Sequence, residues 1–211
     1  MSQPPPTIAE HQLPGVLNVP APNDATISLV RESGARVVAE IGVYEGATSA
    51  GIARVLAERD GELHLFDFQD RVEAVIDRLA GPEYAPVIGH GNTRKIMDSY
   101  NWTLGRLLAE PAPPAFDYVF LDGAHLWGID ALAFFLADRL LSVGGIIDFD
   151  DFDWSLAASE TMNPSVFPAT ADLHTQEQIE SRQVALVVDL VVRSDPRYEE
   201  ILPNKAFRKR A

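Results

Sequence analysis

Short apolar runs alternate with amphipathic segments along the chain from Ala25 onward. The runs are rich in β-branched and aromatic residues, which favours buried strands, and the segments between them repeat apolar residues at helical spacing. The predicted strands cover residues 37–41, 63–66, 86–88, 116–121 and 146–150, and the predicted helices cover residues 47–59, 71–79, 99–109 and 129–141. This alternation predicts an α/β fold with a doubly wound, mostly parallel sheet and helices on both faces.

The C-terminal part of the chain has a different pattern. Residues 175–193 predict one helix or two, and residues 198–202 and 205–208 predict a closing hairpin whose turn is Pro203-Asn204. The hairpin brings the predicted sheet to seven strands. The glycine pair 144–145 is expected to end the helix that precedes the fifth strand.

Residues 1–24 contain three consecutive prolines and three further ones. They predict an extended arm, followed by a single domain over residues 25–211. The N-terminus has neither the basic start nor the apolar stretch of a secretory signal, and no apolar run approaches the ~18–20 residues that span a bilayer. We therefore expect a cytoplasmic protein that does not associate with membranes.

The charge of the chain narrows its partners. The 211 residues include 31 acids against 17 lysines and arginines, a formal charge of −14, and no cysteine. Such a charge repels polyanions, so nucleic acid is not expected and a small-molecule substrate is favoured. The absence of cysteine excludes disulfides, thiolate metal sites and a cysteine nucleophile. The apolar C-terminal helix is compatible with a homodimer.

The first predicted strand runs into a glycine-containing turn, Glu40-Ile-Gly42-Val-Tyr44-Glu-Gly46, and then into a helix. Glycines here allow a sharp turn, and a Cβ at Gly42 or Gly46 is expected to crowd a ligand. Asp67 follows the second strand, where an acid accepts hydrogen bonds from the ribose hydroxyls of nucleoside cofactors. The alternative is a tight strand–helix junction in which Asp67 caps a helix. The turn also lacks the Gly-x-Gly-x-x-Gly pattern of dinucleotide binders.

Glu40 to Ser49 resembles the first motif of class I S-adenosylmethionine-dependent methyltransferases, and Asp67 matches their ribose-binding acid. The resemblance implies a Rossmann-like methyltransferase fold with S-adenosyl-L-methionine as cofactor. It also implies that Asn92 holds the adenine, although an ordinary Gly-Asn turn is an equal alternative for that residue. The implied donor-binding residues are Glu40, Gly42, Tyr44, Gly46, Thr48, Ser49, Asp67, Asn92 and Asp122.

Acidic residues follow the fourth and fifth predicted strands, which lie side by side in a sheet of this kind. Asp122 ends one strand, and Asp150 and Asp151 end the other. Carboxylates at one rim repel each other unless a cation or protons intervene, and oxygen ligands suit Mg²⁺. We expect these three acids to bind the metal. Asp148 is a less favoured ligand, and the alternative for it is a buried carboxyl that is protonated or paired. The alternative is a solvated acidic loop.

His125 lies three residues after Asp122, within reach of a metal-bound substrate, and is the candidate catalytic base, although a structural role is the alternative. The segments Phe120 to His125 and Gly144 to Phe152 resemble the metal-dependent macrocin, mycinamicin and aminocoumarin O-methyltransferases. In those enzymes a Leu-Asp-Gly motif is followed by a double Asp at the spacing that separates Asp122 from Asp150 and Asp151 here. This resemblance implies the same metal ligands and the same base. It leaves open whether a sugar, a phenol or an amine is methylated.

Aromatic side chains are candidates for the acceptor pocket, with core or surface packing as the alternative: Tyr44, Trp102, Trp127 and Trp154. Two other functions remain open from the sequence. An NAD(P)-dependent oxidoreductase shares the fold and the ribose acid, and a non-catalytic nucleoside-binding module shares the donor pocket without the chemistry.

Overall fold

The computed structural model describes residues 21–95 and 97–211. A seven-stranded sheet forms the centre of the molecule, with the strand order β3-β2-β1-β4-β5-β7-β6. The first five strands pair in parallel, and the two C-terminal strands are antiparallel to their neighbours. The predicted doubly wound fold is therefore confirmed, including its seven strands.

Helices alternate with the parallel strands. The strands are β1 (Val37–Ile41), β2 (Glu62–Phe68), β3 (Val87–Asn92), β4 (Phe116–Leu121), β5 (Leu141–Phe149), β6 (Tyr198–Leu202) and β7 (Ala206–Lys209). The helices are α1 (Asp24–Ser33), α2 (Ala47–Ala57), α3 (Gln69–Arg78), α4 (Tyr100–Leu108), α5 (Trp127–Leu140), α6 (Ala169–Leu173), α7 (Gln176–Glu180) and α8 (Gln183–Val187). A 3₁₀ turn covers Leu156–Ala158, and one π-helical stretch covers Val188–Val192.

Alternation along the central strands divides the core into two layers. In β4, Val119 packs on the face that holds α4, α5 and α8, whereas Tyr118 and Phe120 pack on the face that holds α1, α2 and α3. Successive strand side chains point to opposite faces, so a strand with helices on both sides is apolar throughout. The carboxyl ends of β1 and β4 meet where the chain reverses its direction across the sheet, which is where ligands bind in such folds.

Several predicted boundaries were wrong. Helix α5 ends at Leu140, and the glycine pair 144–145 lies inside β5 instead of ending the helix. Gly144 has φ +89°, and the register between β4 and β5 shifts in this region, so the glycines accommodate an irregular strand. The C-terminal helix is divided into short segments, although the hairpin after it has the predicted turn, with Asn204 at φ +59°.

The sequence reading also missed α1. Asn23 caps this helix through a hydrogen bond from the Thr26 N–H to its side chain, so the last two residues of the predicted arm belong to the domain. Most of that arm, residues 1–20, lies outside the described residues. Within the described part of the chain, none of the helices has the length and apolar character needed to cross a bilayer.

Candidate functional site

A cavity of about 690 Å³ opens at the carboxyl ends of the parallel strands. Its walls come from the turn after β1, the ends of β2 and β3, and the loops after β4 and β5. Residues predicted for the donor and for the metal therefore face the same space. Such a cavity is large enough for a nucleoside cofactor and part of a second substrate.

Left-handed backbone shapes the turn after β1: φ is +88° at Gly42, +47° at Tyr44 and +68° at Gly46. The positive φ values of the two glycines confirm the predicted sharp turn, and the crowding of a ligand by a Cβ stays a prediction. A Cβ at Gly42 would lie 1.7 Å from the carbonyl oxygen of Asp122, and one at Gly46 would lie 2.6 Å from Val75 Cγ2. The glycines are thus required by contacts within the protein and by positive φ, before any ligand is considered.

Asp67 holds this turn from the neighbouring strand. Its Oδ2 accepts hydrogen bonds from the backbone N–H of Val43 (2.9 Å) and of Tyr44 (3.1 Å), and its Oδ1 accepts one from Phe68 N (2.6 Å). Helix α3 begins at Gln69 with Phe68 as its N-cap, so Asp67 is not the helix cap of the alternative reading. The carboxylate lies at the cavity wall and couples β2 to the donor turn.

Two buried polar groups on the cavity wall are incompletely satisfied. Glu40 Oε2 and Asn92 Oδ1 have no hydrogen-bond partner among the described residues. Burial raises the pKa of Glu40 to about 8, and the nearby carboxylates of Asp122 and Asp67 act in the same direction. Unpaired buried acceptors are costly in a folded protein, so these two atoms point to a ligand that carries donors.

Asn92 is the last residue of β3, not part of a simple Gly-Asn turn. Its Nδ2 donates to the carbonyls of Thr93 (3.1 Å) and Asp98 (3.0 Å), which orients the amide and leaves the oxygen toward the site. Thr48 also lines the cavity, whereas Ser49 is fully buried behind it.

A cluster of Asp122, His125 and Asp151 forms the opposite side of the cavity. His125 Nε2 lies 3.1 Å from Asp122 Oδ1 and 3.3 Å from Asp151 Oδ2. One possible ligand atom from each of the three residues lies within 4.8 Å of the other two, a spacing compatible with one bound metal ion. Of the three predicted metal ligands, Asp122 and Asp151 belong to this cluster, and the metal itself stays a prediction.

The charges of the cluster are strongly coupled. Burial raises the pKa of Asp122 and of Asp151, and the neighbouring Asp150 adds to both effects. Burial lowers the pKa of His125, but the hydrogen bond that its ring donates to Asp122 and the charges of the nearby acids outweigh this effect, so the net shift is upward. Asp122 and Asp151 beside the imidazole, with Asp150 close to both acids, therefore concentrate negative charge that suits a divalent cation.

Asp148 and Asp150 lie two residues apart at the end of β5 but differ in their partners. Asp148 is fully buried, lies 2.8 Å from Lys205 Nζ, and accepts hydrogen bonds from Thr26 Oγ1 and Tyr118 Oη, both at 2.7 Å. It is thus the paired carboxyl that the sequence suggested as one alternative. Asp150 lines the cavity, where its Oδ1 accepts a hydrogen bond from Asn23 Nδ2 (3.1 Å).

Asp130 fixes the loop that carries His125, and this role was not predicted from the sequence. Asp130 Oδ1 accepts from Tyr100 Oη (2.7 Å) and Ala124 N (3.2 Å), and its Oδ2 accepts from Leu126 N (3.0 Å). The neighbours on both sides of His125 are therefore held while His125 itself adopts φ +56°. An acid in the first turn of a predicted helix was the available signal.

The alternative of packing outside the pocket holds for three of the four candidate aromatic residues. Tyr44 lines the cavity and is half-exposed, whereas Trp102, Trp127 and Trp154 are not among the lining residues. Trp102 is exposed on α4, and Trp154 contacts the edge of the His125 ring with centroids 5.1 Å apart. Trp154 thus supports the imidazole from outside the cavity.

Solved structures of methyltransferases have the same fold at low sequence identity. The O-methyltransferase TomG from Streptomyces achromogenes, involved in tomaymycin synthesis and solved with SAM, is 20% identical, with a TM-score of 0.57 over 89% of this chain and 78% of that one. The O-methyltransferase from Bacillus cereus, solved with SAH, is 16% identical, with a TM-score of 0.53 over 87% and 78%. The SAH-bound methyltransferase PaMTH1 from Podospora anserina is 18% identical, with a TM-score of 0.53 over 88% and 76%.

Comparison with curated proteins gave no match. A family model described as a methyltransferase domain, however, matches residues 39–152, more than half of the chain. The matched region begins within β1 and extends just past Asp151, so it contains the donor turn, Asp67 and the acidic cluster. This match decides against the oxidoreductase alternative, and the chain belongs to the family of methyltransferase domains.

Proposed function

We propose that the protein is an S-adenosylmethionine-dependent O-methyltransferase that methylates a hydroxyl of a small molecule with the help of a divalent cation, Mg²⁺ in the first instance. The observation that carries the proposal is that the donor turn and the acid–histidine cluster line the same cavity of about 690 Å³. The O-methyltransferases of similar fold, solved with SAM or SAH, support the same choice of donor.

The donor side of the cavity offers what a nucleoside with an amino-acid tail requires. When bound, S-adenosylmethionine supplies a methyl group attached to a sulfonium sulfur, and this sulfur becomes a neutral thioether when the methyl group is transferred. The turn from Glu40 to Gly46 would hold the methionine part, and the unpaired Glu40 Oε2 would accept from its donors. Asp67 would accept from the ribose hydroxyls with lone pairs that the turn leaves free, and the unpaired Asn92 Oδ1 would accept from the adenine. Tyr44 and Thr48 complete this wall.

The other side of the cavity handles the acceptor. Asp122, Asp150 and Asp151 would hold a divalent cation, which would lower the pKa of an acceptor hydroxyl beside it. His125, which lies beside Asp122 and Asp151, would take the hydroxyl proton as an oxygen–carbon bond forms and the carbon–sulfur bond of the donor breaks. Most of the rate enhancement in such a reaction comes from alignment of the two reactants, which the two walls of the cavity provide.

Isothermal titration with S-adenosylhomocysteine and with NAD⁺ tests the donor. We expect binding of S-adenosylhomocysteine and none of NAD⁺. Binding of NAD⁺ alone would contradict the proposal. Transfer of radiolabelled methyl from S-adenosylmethionine to a panel of hydroxylated small molecules, with Mg²⁺ or with EDTA, then tests the reaction, and transfer that is equal under both conditions rules out the cation.

The substitution Asp151→Asn tests the proposed metal ligands. We expect it to abolish Mn²⁺ binding and to leave S-adenosylhomocysteine binding intact. Asp153→Asn is the matched control, because Asp153 is in the same loop but exposed and paired with Arg182. A non-catalytic nucleoside-binding module would bind S-adenosylhomocysteine and transfer no methyl group to any acceptor, with or without the substitutions.

A further inference from the structure

The acidic rim at the end of β5 is attached to the first turn of α1. Thr26 Oγ1 donates to Asp148, and Asn23 Nδ2 donates to Asp150 (3.1 Å), so both alternate acids of this strand end contact the same helical turn. The contacts join residues more than a hundred positions apart in the chain. Helix α1 is thereby a structural part of the site, although the family match begins after it.

The two acids are satisfied in chemically different ways. Asp148 is neutralised by Lys205 at 2.8 Å and is unavailable to a ligand. Among the described residues, no lysine, arginine or histidine lies within ion-pair distance of Asp150, whose side-chain partner is the neutral amide of Asn23. A neutral donor orients a carboxylate without cancelling its charge, which is the arrangement that surrounds ligands of metal ions.

Asn23 is itself held on two further sides. Its backbone N–H donates to Thr48 Oγ1 (3.0 Å), and its Oδ1 accepts from Thr26 N (3.0 Å) as the cap of α1. These bonds fix which end of the amide is which, because Thr26 N requires the oxygen and Asp150 requires the N–H₂. The amide nitrogen therefore has a defined direction toward Asp150 Oδ1.

We propose that Asn23 is a positioning residue that orients the Asp150 carboxylate for a divalent cation and, through Thr48, ties this acid to the donor helix α2. The inference rests on the proposed function, because it assumes that the cation binds at the acidic rim. It goes beyond that function by extending the site to Asn23, which lies outside the donor motif and the acidic motifs in the sequence.

The test uses the full-length, metal-free protein and the substitution Asn23→Ser. Serine preserves the N-cap acceptor, so α1 is expected to stay folded, but its shorter side chain lacks the amide N–H₂ that donates to Asp150. Mn²⁺ affinity, measured from the electron paramagnetic resonance signal of the free ion, is expected to fall about tenfold, as for other partners of metal ligands. S-adenosylhomocysteine affinity in calorimetry and the unfolding temperature are expected to stay as in the wild type.

Asn163→Ser is the matched control, since Asn163 is partly exposed and does not line the cavity. The substitution Asn23→Ser is also made in the Asp150→Asn background, where it is expected to have no further effect on Mn²⁺ affinity if it acts through Asp150. An additive loss in that background overturns the proposal.

The remaining outcomes separate this inference from the proposed function. Wild-type Mn²⁺ affinity in Asn23→Ser overturns the role of Asn23 alone. Parallel losses of Mn²⁺ affinity, donor affinity and stability overturn it as well, because they indicate a purely structural cap. Absence of Mn²⁺ binding in the wild type, with S-adenosylhomocysteine still bound, overturns both the metal in the proposed function and this inference.

Discussion

The carbonyl oxygen of Asp122 lies 1.7 Å from the position that a Cβ on Gly42 would occupy. The donor turn after β1 and the acid after β4 are thus in direct backbone contact, and Asp122 N also donates to Ile41 O (2.8 Å). A side chain at residue 42 has no room, and the backbone φ of +88° at this position is unfavourable for any residue with a side chain.

We therefore predict that Gly42→Ala reduces the free energy of unfolding by about 3 kcal/mol or more and abolishes binding of S-adenosylhomocysteine. The matched control is Gly105→Ala in α4, where a Cβ meets nothing within 4 Å. That substitution is expected to stabilise the protein by roughly 0.5–1 kcal/mol, because alanine favours helix. Urea unfolding and calorimetry measure both, and equal stability of the two variants contradicts the assignment.

Glu40 makes stability depend on pH. Its pKa of about 8, against an ordinary value of 4.5, means that the folded state binds a proton that the unfolded state has lost between these values. Stability therefore falls as pH rises through this range, by about 1.4 kcal/mol per pH unit from this group.

Glu40→Gln removes the proton uptake and keeps the shape of the side chain. We predict that the variant gains stability over the ligand-free wild type progressively from pH 5 to pH 8, as followed by urea unfolding at each pH. Glu45→Gln, an exposed position on the same turn, is the control for the exchange itself. A constant difference between Glu40→Gln and the wild type across this range contradicts the prediction.

The ion pair of Asp148 with Lys205 joins β5 to the turn between β6 and β7 in the interior of the protein. We predict that Lys205→Met costs about 3–5 kcal/mol, because it leaves a buried carboxylate without its cation. The loss is expected to be smaller at pH 5 than at pH 8, since protonation of Asp148 relieves it.

The double variant Lys205→Met/Asp148→Asn provides the control. Asparagine keeps acceptors for Tyr118 and Thr26 but carries no charge. We expect it to recover most of the lost stability, and thermal unfolding of the three proteins at both pH values measures the effect. Failure of the double variant to recover stability means that Lys205 acts through packing and not through its charge.

Tyr100 and Asp130 hold the loop that carries His125. Tyr100 Oη donates to Asp130 and accepts from Ala124 N at 3.0 Å. We predict that Tyr100→Phe costs about 1 kcal/mol of stability and accelerates amide hydrogen exchange at Ala124. Tyr84→Phe, whose hydroxyl contacts Arg54 on the surface, is the control. Unchanged exchange at Ala124 in Tyr100→Phe would show that Asp130 alone holds the loop.

The sequence by itself determined the order and type of the seven strands and of helices α2 to α5. It did so because apolar periodicity is a local property: β1 and β4 were predicted at their observed bounds, since each is largely buried and apolar at all but one of its positions. The sequence also indicated which acids gather at the rim, because carboxyl ends of neighbouring parallel strands share one edge.

Only the tertiary structure decided which residues touch. Gly42 lies against the backbone of Asp122, Asp67 holds the donor turn, and Asn23 reaches Asp150. Each of these contacts joins segments distant in the chain, and no periodicity encodes such a contact. A hydrogen bond requires a donor and an acceptor at the right distance, to within a few tenths of an ångström, and in the right mutual direction. That arrangement exists only once the sheet and its helices have packed together.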